Sequence, residues 1–289
     1  MQGAALRARQ ALIIGVVLLL TACSTVRLAY NTAPQLVWWW LDGYVDFASE
    51  NSARVKDALA QWLAWHRHTQ LLDYAALLER TEPQLAGTLT PAQVCDFYAQ
   101  TRTLLQSAID HGVVMAAELL PALGAAQLEH LETKLAKKNE EFRKDRVKLD
   151  AGERRKERLK RAVDSAERLY GRLEEAQRAV LEAASVTGMD GQAMLAERER
   201  RQRDMLQTLR RWQAQPPDRA AAQAGLRDMV QQMEVSSDAA YRAIQLSATE
   251  NNCRVSADVH NSASPRQREA ARKQFKAWES DLRALAAAK

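Results

Sequence analysis

From Ser52 onward the apolar residues of this chain return every three or four positions and never settle into sustained alternation. Val55, Leu59, Trp62, Leu63 and His66 form one such stripe, and Leu71, Leu72, Tyr74, Leu77 and Leu78 carry it on toward Gly87. That period places a stripe along one side of a helix, whereas a half-buried strand needs a period of two. Gly and Pro are scarce, at 11 and 7 of 289 residues, while Ala, Leu, Glu, Arg and Gln abound. Such a composition favours long helices. The expected fold is all-α: a multi-helix bundle of about six to nine helices with a long protruding helical hairpin.

Local signals divide the chain. Pro34 suits a first helical turn and opens a segment through Val45. Asp42, Asp46 and Glu50 fall on one stripe of that segment and its continuation. Thr90-Pro91-Ala92-Gln93 reads as a capping box with proline at the first helical position. Pro121 and Gly124 interrupt the helix it starts. Leu128, Leu135, Phe142 and Leu149 then recur every seven residues, as do Leu159, Ala166, Leu173 and Val180, with a capping box at Asp150–Glu153 between them. Two such series predict a helical hairpin over about 125–187. Further helices are expected over Gln192–Gln215, Asp218–Thr249 and from Ser264-Pro265 to Leu285, with the polar run from Asn251 to Ser264 as the longest loop.

The first 22 residues read as an export leader. Arg7 and Arg9 supply the positive start, and Ala11 to Leu20 (ALIIGVVLLL) the apolar middle. Leu20-Thr21-Ala22-Cys23 matches a lipobox, in which small residues precede a cysteine that is acylated before cleavage. The apolar run is shorter than the roughly 20 residues a spanning helix needs. The alternatives are a buried N-terminal helix or an uncleaved anchor. On the lipobox reading residues 1–22 are removed, 23–33 form a lipidated tether and 34–289 the helical domain. Acyl chains on Cys23 then bind membrane lipid, at about 0.8 kcal/mol per buried CH₂. Ser24, in place of Asp, leans toward the outer membrane, facing the periplasm, over the inner membrane.

Cys95 and Cys253 remain. An oxidising periplasm favours a disulfide between them over two free buried thiols. Neither lies in a CxxC or CxxH pattern, which argues against metal or thioredoxin-like chemistry. Trp38, Trp39 and Trp40 stand fifteen to seventeen residues after Cys23. Three consecutive rings on a helix cover most of its circumference, so at least one must be buried as a core anchor, while another can reach the membrane interface, where Trp is enriched.

No catalytic site is expected. His66 and His68 point to different helix faces, and HExxH is absent. His111, His130 and His260 are isolated, and no GxSxG, GxGxxG or phosphate-loop pattern occurs. Asp42 and Asp46 could pair as carboxylates, but a solvated or salt-bridged stripe explains them. No metal and no cofactor are expected. The net charge of +5 drops to +3 without Arg7 and Arg9, which gives no case for nucleic acid. Lys134 to Arg172 holds 15 Lys or Arg against 8 Asp or Glu. It reads either as a basic surface for anionic lipid or an acidic partner, or as the solvated face of a long helix.

Tyr30-Asn31, the run from Trp39 to Phe47, Trp65-His66, Leu89 to Cys95 and His260-Asn261-Ser262 resemble a family of proteobacterial lipoproteins catalogued only as a domain of unknown function. That resemblance implies a lipidated helical protein and assigns no site. Leu89-Thr90-Pro91-Ala92-Gln93 is also similar to the LTxxQ pattern of Spy-type periplasmic chaperones, with a second copy at Leu123–Gln127 that has Gly124 for Thr. The expected function is that of a non-enzymatic envelope lipoprotein presenting a helical interaction surface to an envelope protein partner. The alternatives are a chaperone-like or envelope-stress module binding exposed apolar segments, and a cell-wall enzyme or its regulator.

Overall fold

In the computed structural model, residues 25–47, 49–120 and 123–288 are described. All regular structure among them is helical. In chain order the α-helices are α1 (Thr25–Val45), α2 (Ser49–Thr69), α3 (Leu71–Thr81), α4 (Pro91–Leu119), α5 (Ala125–Phe142), α6 (Ala151–Tyr170), α7 (Glu175–Ala184), α8 (Gly191–Ala214), α9 (Arg219–Glu234), α10 (Ala239–Asn261) and α11 (Pro265–Ala287). A 3₁₀ turn (Glu82–Ala86) follows α3, and a π turn (Arg143–Val147) follows α5.

The helix starts obey local chemistry. The Thr90 hydroxyl accepts from the Gln93 N–H at 3.2 Å while Gln93 Oε1 accepts from the Thr90 N–H at 2.8 Å, closing the expected capping box. Asp150 caps α6 in the same way, accepting from Glu153 N–H at 2.8 Å. Asp190, Asp218 and Asp238 each accept a backbone N–H three residues on, at 2.8–2.9 Å. Those side chains satisfy donors that would otherwise be orphaned at the first turn.

Two apolar cores result. The first joins Val45 at the end of α1, Val113 and Ala117 of α4, Leu128, Leu131 and Leu135 of α5, Leu206, Leu209 and Trp212 of α8, and Ala222 and Leu226 of α9. The second joins Leu85, Tyr170, Leu173, Leu181 of α7, Val259 of α10, and Ala271 and Phe275 of α11. Helix α4, about 44 Å long at 1.5 Å per residue, runs through both, with Phe97 packed on the second and Val113 on the first. α11 lies along α3, and α5 lies between α1 and α8. Of the two seven-residue series only Leu128, Leu135 and Leu173 are buried, the rest being half-buried, and the two helices pack apart instead of on one another: Leu128 and Leu135 with α8, and Leu159, Val163 and Ala166 with the second core.

Three boundaries differ from expectation. α1 begins at Thr25, so Pro34 lies inside it. Contacts on either side of the proline, made by Arg27, Tyr30 and Trp38, outweigh the roughly 3 kcal/mol that proline costs within a helix. The run from Asn251 is helix up to Asn261, not loop: its polar residues conceal the buried Cys253, Ala257 and His260, spaced four and three apart. The helix expected over Asp218–Thr249 is two, divided where the buried Ser236 turns the chain and Asp238 caps the next helix.

Candidate functional site

Helix α1 carries no charged residue between Arg27 and Asp42. One side of it is fixed to the body. The Arg27 guanidinium meets Asp281 of α11 at 2.8 Å, the Tyr30 hydroxyl lies 2.9 Å from His66 Nδ1, and Arg67 donates to Asn31 at 2.9 Å. Trp38 belongs to that side, only 9% exposed, stacked on Phe47 and covered by the Lys56 ammonium 4.5 Å from its ring. The other side is open. Trp39 and Trp40 are 60% and 61% exposed, and Leu28 and Leu36 are exposed with them. At 3.6 residues per turn these four fall within about 120° of arc. The triplet is divided as its geometry requires: one ring in the body and two outside. Cys23 lies outside the described residues, two positions before α1 starts, as do the expected leader and lipobox. No helix among the described residues is long and apolar enough to cross a membrane.

Cys95, one turn into α4, and Cys253 of α10 are joined by a disulfide, with Cα atoms 5.4 Å apart. Beside it the chain is clasped again. Asn261 accepts from the Leu89 N–H at 2.8 Å and donates to the Leu89 carbonyl at 2.9 Å. His260 is fully buried, with Nε2 3.0 Å from the Gly87 carbonyl and Nδ1 3.0 Å from the Tyr170 hydroxyl. A carbonyl only accepts, so Nε2 carries the proton and Nδ1 accepts from Tyr170. Burial holds this imidazole below its ordinary pKa and pushes the Tyr170 hydroxyl up to about 12. The Leu89–Gln93 segment therefore serves as a helix cap and a clasp.

The remaining sequence candidates take structural posts. Asp42 accepts from the Phe47 N–H at 3.1 Å and closes the end of α1. Asp46, in the left-handed region at φ 54°, makes the turn itself. His66 sits between Tyr30 and Tyr74 and under Trp62, held by burial below its usual pKa, while His68 is exposed. His111 stacks flat on Trp65 at 3.8 Å. Among the described residues no group of three or more His, Cys, Asp or Glu is placed to hold a metal.

Two features escaped the sequence. A groove of about 630 Å³ between α8 and α9 is lined by Met205, Trp212, Met229 and Met233 together with Arg201 and Asp228. A cleft of about 830 Å³ lies among α6, α7, α8 and α10. The basic stretch sorts itself around this cleft. Lys138, Arg143 and Lys148 pair with Glu141, Glu140 and Glu199, whereas Arg146, Arg154, Arg158 and Arg161 line the cleft. No spacing rule shows this, because the apolar wall opposite comes from residues 20 to 110 positions away.

A family model described as a family of unknown function, DUF6279, matches residues 43–242. The chain belongs to that family. The DUF6279 match takes in α2 through α9, including the four arginines and Cys95, and stops short of Cys253 and of Trp38–Trp40. No curated protein and no solved structure matches the chain.

Proposed function

We propose that this DUF6279 protein is a non-enzymatic envelope lipoprotein, anchored by acyl chains on Cys23 at the periplasmic face of the outer membrane. One observation carries the reading: a helix that begins two residues after the lipobox cysteine has no charged residue between Arg27 and Asp42 and exposes two tryptophans in that stretch. Trp favours the headgroup region, where its ring is apolar and its N–H stays hydrated. Acyl chains and an interfacial helix face together give two membrane signals, which stable anchoring requires. The bundle beyond then presents helical surfaces to an envelope protein partner. Mass spectrometry of the native product tests the anchorage. A chain starting at an acylated Cys23 is expected, and Cys23→Ala should accumulate as uncleaved precursor; an unmodified sulfur or an intact leader in the native product refutes the reading.

The groove between α8 and α9 favours a second reading, chaperone-like binding of apolar segments. Methionine adapts to varied apolar shapes, and Met233 is more than half exposed at its edge. Slowed aggregation of an unfolding test protein, abolished by Met229→Glu, would favour it; no effect of the wild-type chain on aggregation eliminates it.

A further inference from the structure

The 830 Å³ cleft has two chemically different walls. One is α6 with the turn before it, bearing Arg146, Arg154, Arg158 and Arg161. The other comes from three helices and is mainly apolar, with Leu181 of α7, Met194 of α8, and Ile244 and Val255 of α10, the last helix adding Ser247, Asn251 and Asn252. Volumes of this size are those of small-molecule sites, which are typically apolar with a few placed polar groups.

The arginines are short of counter-charge. Among the described residues Arg161 alone of the four has a carboxylate partner, Glu157 at 3.8 Å. Arg154 donates to the Leu149 carbonyl, and Arg158 to the Ser185 carbonyl at 3.0 and 2.8 Å. Those acceptors are neutral and leave the positive charge standing. Desolvation, with Arg146 and Arg158 nearby, lowers the affinity of Arg161 for its proton. The lining supplies only Asp145 and Glu157 against four guanidiniums. Nor is the wall loose. Arg158 grips the end of α7, and Gly191 lets the start of α8 close on the Arg146 carbonyl, where a Cβ would stand 2.5 Å away.

We propose that this cleft binds an anionic single-chain lipid, with its acyl chain along Leu181, Met194, Ile244 and Val255 and its phosphate between Arg146 and Arg161. Guanidinium forks match phosphate oxygens in pairs, and an anion there relieves the crowding of like charge. An apolar ligand without charge leaves the arginines uncompensated, and a bare anion leaves the apolar wall wet. The site does not depend on acylation of Cys23, so it stands or falls apart from the anchorage.

Native mass spectrometry of the full chain, purified in a neutral alkyl maltoside, tests it by titration with lysophosphatidylglycerol, lysophosphatidylcholine or inorganic phosphate. A one-to-one lysophosphatidylglycerol adduct is expected, at least about tenfold tighter than the choline lipid, as roughly 1.4 kcal/mol of charge recognition gives. Arg146→Gln with Arg161→Gln should erase that preference. Ile244→Trp, at a half-exposed position, should block both lipids by filling the apolar side. Equal binding of the two lipids by the wild-type chain overturns the proposal. So does phosphate competing as well as the whole lipid, or Ile244→Trp binding as the wild type does.

Discussion

Glu197 sits in α8 with only 6% of its surface exposed, yet it is fully served. Arg200 reaches its two oxygens at 2.8 and 2.9 Å, Arg201 donates at 2.6 Å and the Ser236 hydroxyl at 2.6 Å. These donors, Arg200 foremost, hold the carboxyl at about 2 against the ordinary 4.5. A carboxyl depressed by folding stabilises the native state above its unfolded pKa, and that contribution fades as pH falls toward the folded value. Glu197→Gln should therefore cost about 3 kcal/mol near neutrality. The gap from wild type should narrow between about pH 5 and pH 2.5 in thermal unfolding followed by circular dichroism; a gap independent of pH would show that the ion pairs contribute nothing. Gly191 makes a different demand, because its missing Cβ leaves room for a backbone carbonyl. Gly191→Ala should destabilise by about 1–3 kcal/mol in urea unfolding, and an unchanged midpoint would mean that α8 slides at no cost.

The disulfide belongs to the scale of helices, since it fastens α4 to α10 across 158 residues of chain. Removing it as Cys95→Ser with Cys253→Ser should lower stability by about 2–4 kcal/mol, measured as the urea midpoint, with helical circular dichroism retained in buffer. Reducing the wild-type chain should have a similar effect, and a midpoint insensitive to both would leave the crosslink without a stabilising role. At this scale much was legible in advance. Helix type and the Thr90, Asp150 and Ser264 starts follow from local chemistry, where a cap acts on a few residues at once, and the cysteine pairing follows from there being only two left once Cys23 is set aside. What each face packs against was not legible. The spacing of Leu128 and Leu135 announces a buried seam, but nothing in it says that α8 lies opposite. The helix through Asn251 and Asn252 was missed because three small or polar buried residues hold it down, with no large apolar stripe. The arginine-lined cleft was invisible for a related reason: its two walls meet only after α10 returns.

Across the whole molecule, α1 divides its aromatic residues between inside and outside, and the two sides should respond differently to change. Trp39→Ser with Trp40→Ser removes rings that are mostly exposed, so unfolding should shift by no more than about 0.5 kcal/mol. In acylated protein reconstituted into vesicles, the same pair should abolish most of the tryptophan quenching by brominated phospholipid. Trp38→Ala should instead destabilise the fold, by about 3 kcal/mol, through loss of its contact with Phe47. Quenching that survives the loss of Trp39 and Trp40 would mean that α1 faces water. The Arg27–Asp281 contact also sets how the fold carries load. Tension applied ahead of α1 reaches α11 at that guanidinium, and from α11 it passes sideways into α3 and the second core. A pull from the bilayer would be met in shear by the last helix of the fold, instead of peeling the first one away turn by turn.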